Sequence, residues 1–126
     1  MEYIKIKIDT DYKDYTDELE ELTKDLKNEI EENEELYIEE VQIPTKPAEK
    51  DSKGIDVLEL GKLVIPIALN PSVVIALIKV INIWVLARKD ITIVKKVVFH
   101  YKGKKNEIHG YSKDELIKII QEIKKR

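Results

Sequence analysis

Residues 63–87 read LVIPIALNPSVVIALIKVINIWVLA, and how this stretch is covered decides the fold. It holds one charge, Lys79, in a chain whose residues are 37% charged. From Val73 to Leu86 apolar residues fall on every side of a helical wheel. A helix apolar all round is covered by protein or by lipid. A membrane span needs about 20 predominantly apolar residues, and 63–87, flanked by Lys62 and Arg88-Lys89, offers them. Two features oppose a span. Asn70-Pro71 starts a new helix a third of the way in, with Asn70 as N-cap and Pro71 at the first helical position. Lys79 and Asn82 then fall near the middle of what remains, where polar groups are costly in a bilayer. The helix Pro71–Arg88 is therefore expected to be the buried spine of a protein core.

The flanking segments are patterned to cover it. Upstream, Tyr3–Ile8 alternates, with Ile4, Ile6 and Ile8 on one face and Tyr3, Lys5 and Lys7 on the other, as a half-buried strand does. Thr16 is placed as N-cap of a helix running to Glu32, with Tyr15, Leu19, Leu22, Leu26 and Ile30 as a narrow apolar stripe. Leu36–Ile43 reads as a second strand whose alternation slips at Glu39-Glu40, as at a bulge or a sheet edge. Residues 44–54, PTKPAEKDSKG, form a loop and the expected mobile segment. Ile55–Leu69 reads as a helix with Ile55, Leu58 and Leu63 inward, shortened by Pro66.

Downstream, Ile91–Tyr101 is a strand, Lys102–Lys105 a glycine-bearing turn and Asn106–His109 its hairpin partner. Ser112–Glu115 is a capping box, with Tyr111 and Leu116 placed as a hydrophobic staple. Leu116, Ile117, Ile119, Ile120 and Ile123 make the inner face of the last helix. The order β-α-β-α-α-β-β-α predicts one α+β domain over 1–126, a mixed sheet of about four strands packed on helices around a buried central helix.

The absence of cysteine excludes disulfides, thiolate metal sites and a Cys nucleophile, and accords with a reducing compartment. MEYIKIKIDTDYKD lacks the apolar core of a secretory signal, so a cytoplasmic location is expected. The net charge of −3 hides an asymmetry: residues 1–60 hold 20 Asp/Glu against 8 Lys/Arg, and residues 61–126 hold 5 against 14. An acidic and a basic half attract each other within one chain or between copies.

No catalytic constellation emerges. His100 and His109 could share a metal only if the hairpin set them face to face, and they lack a carboxylate at ligand spacing beyond Glu107. Ser72 has no partner base at a recognisable spacing, and Gly54, Gly61, Gly103 and Gly110 are too scattered to cradle a phosphate. No cofactor or metal is implied, and the chain reads as a non-enzyme. The polar features that remain are an acidic helix face, with Asp17, Glu21 and Asp25 as candidate contact residues, and a basic hairpin with Lys95, Lys96, Lys102, Lys104 and Lys105.

The run KGIDVLELGKLVIPIALNPSVVIALIKVINIWVLARKDITI, between an acidic first helix and a hairpin with a capped last helix, resembles the effector-associated constant component family of bacterial conflict systems. The most specific part is Gly54–Ile93, with Ile55-Asp56-Val57-Leu58 as the motif and Trp84 in the apolar helix. Asn70-Pro71-Ser72 replaces a glycine-rich break. The resemblance implies a small adaptor that couples to a peptidase-like effector in antiphage defence or programmed cell death. Protein–protein contact, with an effector or in a homo-oligomer, is the leading expectation. The rivals are a membrane-associated component inserting 63–87 and a nucleic-acid-binding module using the hairpin 95–105.

Overall fold

The computed structural model describes residues 4–10, 16–47, 56–66, 70–88, 93–110 and 112–125. In chain order the elements are β1 (Ile4–Thr10), α1 (Thr16–Glu32), β2 (Thr45–Pro47), β3 (Asp56–Leu58), β4 (Lys62–Ile65), α2 (Pro71–Arg88), β5 (Val94–Tyr101), β6 (Lys104–Ile108) and α3 (Lys113–Lys124). Four strands form one sheet in the order β4-β1-β5-β6, and β2 pairs with β3 in a separate ribbon.

The alternation of β1 does what its spacing predicts. Ile4, Ile6 and Ile8 are buried while Lys5 and Lys7 are exposed. In register with them, Leu63 and Ile65 of β4 and Val97 and Phe99 of β5 point the same way. All three helices cover that inner face. α2 packs on β5 and β6 and contacts both α3 and α1, the latter also reaching β4. Asn70 caps α2 through its side chain, which accepts from the Val73 N–H at 3.0 Å. Burial of Val74, Leu77, Ile78, Ile81, Trp84 and Val85 stabilises by on the order of 10 kcal/mol in total. That dominates the marginal stability of an isolated helix of this length.

The class, the four-stranded sheet and the central helix are as the sequence predicts; several details differ. The sheet is antiparallel in every pair rather than mixed, because no β-α-β crossover joins neighbouring strands. The expected helix 55–69 is instead β3, a turn and β4, with Gly61 at φ +82° in the turn. Lys62-Leu63-Val64-Ile65 alternates and pairs with β1, and that pairing overrides the helical spacing. The stretch 63–87 is accordingly a strand followed by a helix, not one span. Leu58 and Ile117, expected inward, are exposed.

The expected strand 36–43 is irregular. Leu36 and Ile38 both enter the core as alternation predicts, but Tyr37 between them adopts φ +54° and interrupts the extended backbone, and among the described residues only Gln42 bridges to Val64 on the free edge of β4. Of the expected loop 44–54, Thr45–Pro47 is strand β2. Tyr3, Tyr15, residues 48–55, residues 67–69, residues 89–92 and the staple residue Tyr111 lie outside the described residues.

α2 is not enclosed on all sides. Ile83 is 66% exposed and Leu86 50%, on the face that also carries the exposed Lys79. By length and composition alone α2 could cross a membrane, with a mean hydropathy of 1.7.

Candidate interaction surfaces

The helix side of the fold is acidic. α1 turns Leu22, Leu26 and Ile30 inward, which leaves Asp17, Glu18, Glu21, Glu29 and Glu32 in water. The segment after it adds Glu34, Glu35, Glu39 and Glu40, all exposed. This segment is held by Glu31, whose carboxylate accepts from the Val41 N–H at 2.8 Å and from Lys27 at 2.7 Å. Burial pushes the Glu31 carboxyl up. The hydrogen bonds from Lys27 and Val41 outweigh it and leave it below its ordinary value.

Of the three predicted acidic contact residues, Asp17 and Glu21 stand free on the surface of α1. Asp25 does not. Its carboxylate accepts from the Trp84 indole at 3.0 Å and from the Arg88 guanidinium, so it joins α1 to α2.

The opposite side of the fold is the outer face of the sheet, and it is basic. Register places Val64, Lys5, His100 and Lys105 in one row across the four strands, and Lys62, Lys7, Val98 and Glu107 in the next. Asp9 and Lys96 begin a third row. Five lysines and a histidine thus share this face with two carboxylates. Lys96 is largely enclosed and bonds Glu107 at 3.0 Å, with Asp9 at 3.8 Å. Glu107 also lies 3.7 Å from Lys105 and 3.2 Å from His109. The Lys96 hydrogen bond, then that of His109, holds its carboxyl below the ordinary value.

The predicted basic hairpin therefore divides. Lys105 and Lys96 lie on the outer sheet face. Lys95 is the extra residue of a bulge, since Asp9 pairs with Lys96 and Thr10 with Val94. Val94 and Val97 both reach the core across it. Lys102 and Gly103 form a two-residue turn with φ +50° and +73°, the I′ geometry that matches strand twist. Lys102 lies 5.4 Å over the Tyr101 ring, and Lys104 is exposed beside it. His100 and His109 are not brought together. One faces Lys5 and Lys105 in register, and the other lies past the end of β6 beside Glu107.

Lys5 and Lys7 are not among the contact residues expected from the sequence, where Lys62 stands only as a flank of the apolar stretch and His100 only as a possible metal ligand. The outward parity of Lys5 and Lys7 is legible in the alternation of β1, but their neighbours follow from pairing with β4 and β5. Together they border a cavity of about 390 Å³, walled on one side by Pro44 and Glu59. The Glu59 N–H donates to the Pro44 carbonyl at 2.8 Å, which fixes that wall, and Glu59 accepts from Lys62 at 2.6 Å. That bond holds the Glu59 carboxyl below its ordinary value.

Among the described residues no group of three or more His, Asp and Glu side chains converges as a metal site. Comparison of the chain with protein-family models, curated proteins and solved structures gives no match in any of the three.

Proposed function

We propose that the protein is a non-enzymatic assembly component that works by protein–protein contact. The resemblance to the effector-associated constant components gives that role a setting: coupling to a peptidase-like effector in a prokaryotic conflict system, in the cytoplasm. The observation that carries the reading is the two-sided charge of a two-layer fold. Carboxylates crowd the helix layer around α1, and lysines crowd the sheet face behind it. Such surfaces cannot neutralise each other within one copy, because the core lies between them. They are complementary between copies, as in a head-to-tail contact that closes into a ring or grows into a filament.

Sedimentation velocity tests it. At low salt the protein should sediment well above its 14.7 kDa mass, and should approach that mass as salt shortens the Debye length from about 10 Å to about 3 Å. Glu21→Lys with Glu29→Lys should dissociate it, as should Lys5→Glu with Lys105→Glu. Mixing the two variants should restore a complex, because each then offers the face the other needs. A wild-type monomer at every salt concentration overturns the reading.

A further inference from the structure

The cavity on the outer sheet face has a feature that assembly does not require. Lys7 and Lys62 are direct cross-strand partners. The Val64 N–H and C=O both bond Gln42, at 2.7 and 2.8 Å, so Val64 faces Lys5 across the pair type without hydrogen bonds. Two residues along, Lys7 and Lys62 form the same type, in which side chains stand closest. Like charges directly opposite on a sheet are destabilising. Lys62 has Glu59 as counter-charge, whereas the side chains of Lys5, Lys7 and His100 make no hydrogen bond or ion pair with any described residue.

We propose that this cavity is a binding site for a small molecule carrying an oligophosphate chain. Three lysines and a histidine, against the single carboxylate of Glu59 that is already paired with Lys62, line a concavity that also includes Val64 and whose volume of about 390 Å³ falls in the range of small-ligand sites. Lysine binds phosphate as a point charge, without the planar fork by which arginine selects a carboxylate. A ligand with several negative charges relieves the Lys7–Lys62 repulsion and neutralises Lys5 in one event. The outer face exposes no Phe, Tyr or Trp ring in these rows, and the His100 imidazole alone makes no platform for successive bases of a single-stranded nucleic acid. This inference goes beyond the assembly reading and does not rest on it, since binding is read as heat and assembly as mass.

Calorimetric titration with inorganic triphosphate and with ATP, at an ionic strength at which sedimentation gives the monomer mass, tests the site. Saturable one-to-one binding is expected, weakened at least about tenfold by Lys5→Gln with Lys7→Gln. It should be unchanged by Lys118→Gln with Lys124→Gln on α3, which remove the same charge elsewhere. ATP binding more tightly than triphosphate assigns a nucleotide, and equal affinity assigns the phosphate chain alone. NMR shift mapping on the wild type should centre on Lys5, Lys7, Val64 and His100, a readout independent of how the variants fold. Absence of saturation at millimolar ligand, equal weakening by both variant pairs, shifts centred elsewhere, or tighter binding of a single-stranded oligonucleotide each overturns the proposal.

Discussion

The indole N–H of Trp84 donates to Oδ2 of Asp25 across 3.0 Å, joining the C-terminal third of α2 to the middle of α1. Arg88 completes the junction. Its guanidinium binds the same oxygen, stacks 4.6 Å over the Trp84 ring and reaches the Trp84 carbonyl at 3.3 Å. Asp25→Ala leaves the buried indole N–H without its acceptor, and should cost about 1–2 kcal/mol. The ion pair adds little to that figure because the Asp25 side chain is nearly half exposed. Asp25→Asn keeps an acceptor for the indole and should cost less. Urea unfolding followed by the fluorescence of the single tryptophan measures both; an Asp25→Ala midpoint equal to wild type removes the junction from the account of stability.

Thr23 is the second polar bridge, and it is fully buried. Its hydroxyl donates to the Leu19 carbonyl at 2.6 Å and accepts from the Gly61 N–H at 2.7 Å. Thr23→Val keeps the shape but leaves the Gly61 N–H unsatisfied, at an expected cost of about 1–3 kcal/mol. Thr23→Ser keeps the hydroxyl and should lose less. Gly61→Ala should be costly by a separate route. The backbone there is left-handed, and an added Cβ would sit 3.2 Å from Leu19 Cδ1 and 3.4 Å from the Ile8 carbonyl oxygen. Thermal unfolding of the three variants should rank Ser above both Val and Ala.

Where local pattern and tertiary pairing agree, the sequence was sufficient. Ile4, Ile6 and Ile8 announce β1, the Leu22–Leu26–Ile30 stripe announces α1, and Asn70-Pro71 announces the start of α2. The Ser112 hydroxyl accepts from the Glu115 N–H at 3.4 Å, as the capping box requires. The failures fall where a distant partner decides. Ile55 has helical spacing to Leu58 and to Leu63, yet the alternation of Lys62–Ile65 is taken up by β1, more than fifty positions away in sequence. Around Tyr37 the inward alternation of Leu36 and Ile38 survives, but the left-handed backbone between them, which interrupts the strand, is not announced by a tyrosine in the sequence.

The candidate surfaces follow the same division. The acidity of α1 is written in its composition, but the Asp25 carboxylate is taken up by Trp84 and Arg88, which follow it by 59 and 63 positions. The basic surface was expected on the hairpin. Pairing moves its centre to the middle of the sheet, since β1 and β4 bring Lys5, Lys7 and Lys62 alongside His100.

Stability should fall with acid, and Glu31 should account for part of the fall. Its folded pKa lies below the ordinary value of 4.5, so the proton binds the unfolded chain more readily. The stabilisation is present above the unfolded pKa and is lost as pH drops through the folded one. Glu59 and Glu107 act in the same direction more weakly, being open to solvent screening. Urea midpoints should be level from about pH 6 to 7 and decline below about pH 4.5. Glu31→Gln should lower the plateau and make the decline shallower. An unaltered slope in that variant would show that Glu31 does not carry this linkage.

Ile81 and Ile83 stand two residues apart on α2 and should respond oppositely to substitution. Ile81 is fully enclosed within the core cluster, and Ile83 is 66% exposed. Ile81→Ala removes buried methyl and methylene groups and leaves a cavity, at an expected cost of about 2–5 kcal/mol. Ile83→Lys exchanges one solvent-facing side chain for another on the face that already carries Lys79, and should stay within about 0.5 kcal/mol of wild type. Chemical denaturation of both variants tests the rotation of α2 about its axis. If α2 were enclosed on every side, as its composition predicts, Ile83→Lys would be the more damaging of the two, because a buried ammonium without a partner costs more than a lost hydrocarbon contact. Near-neutrality of Ile83→Lys beside a large loss for Ile81→Ala is the outcome this packing requires.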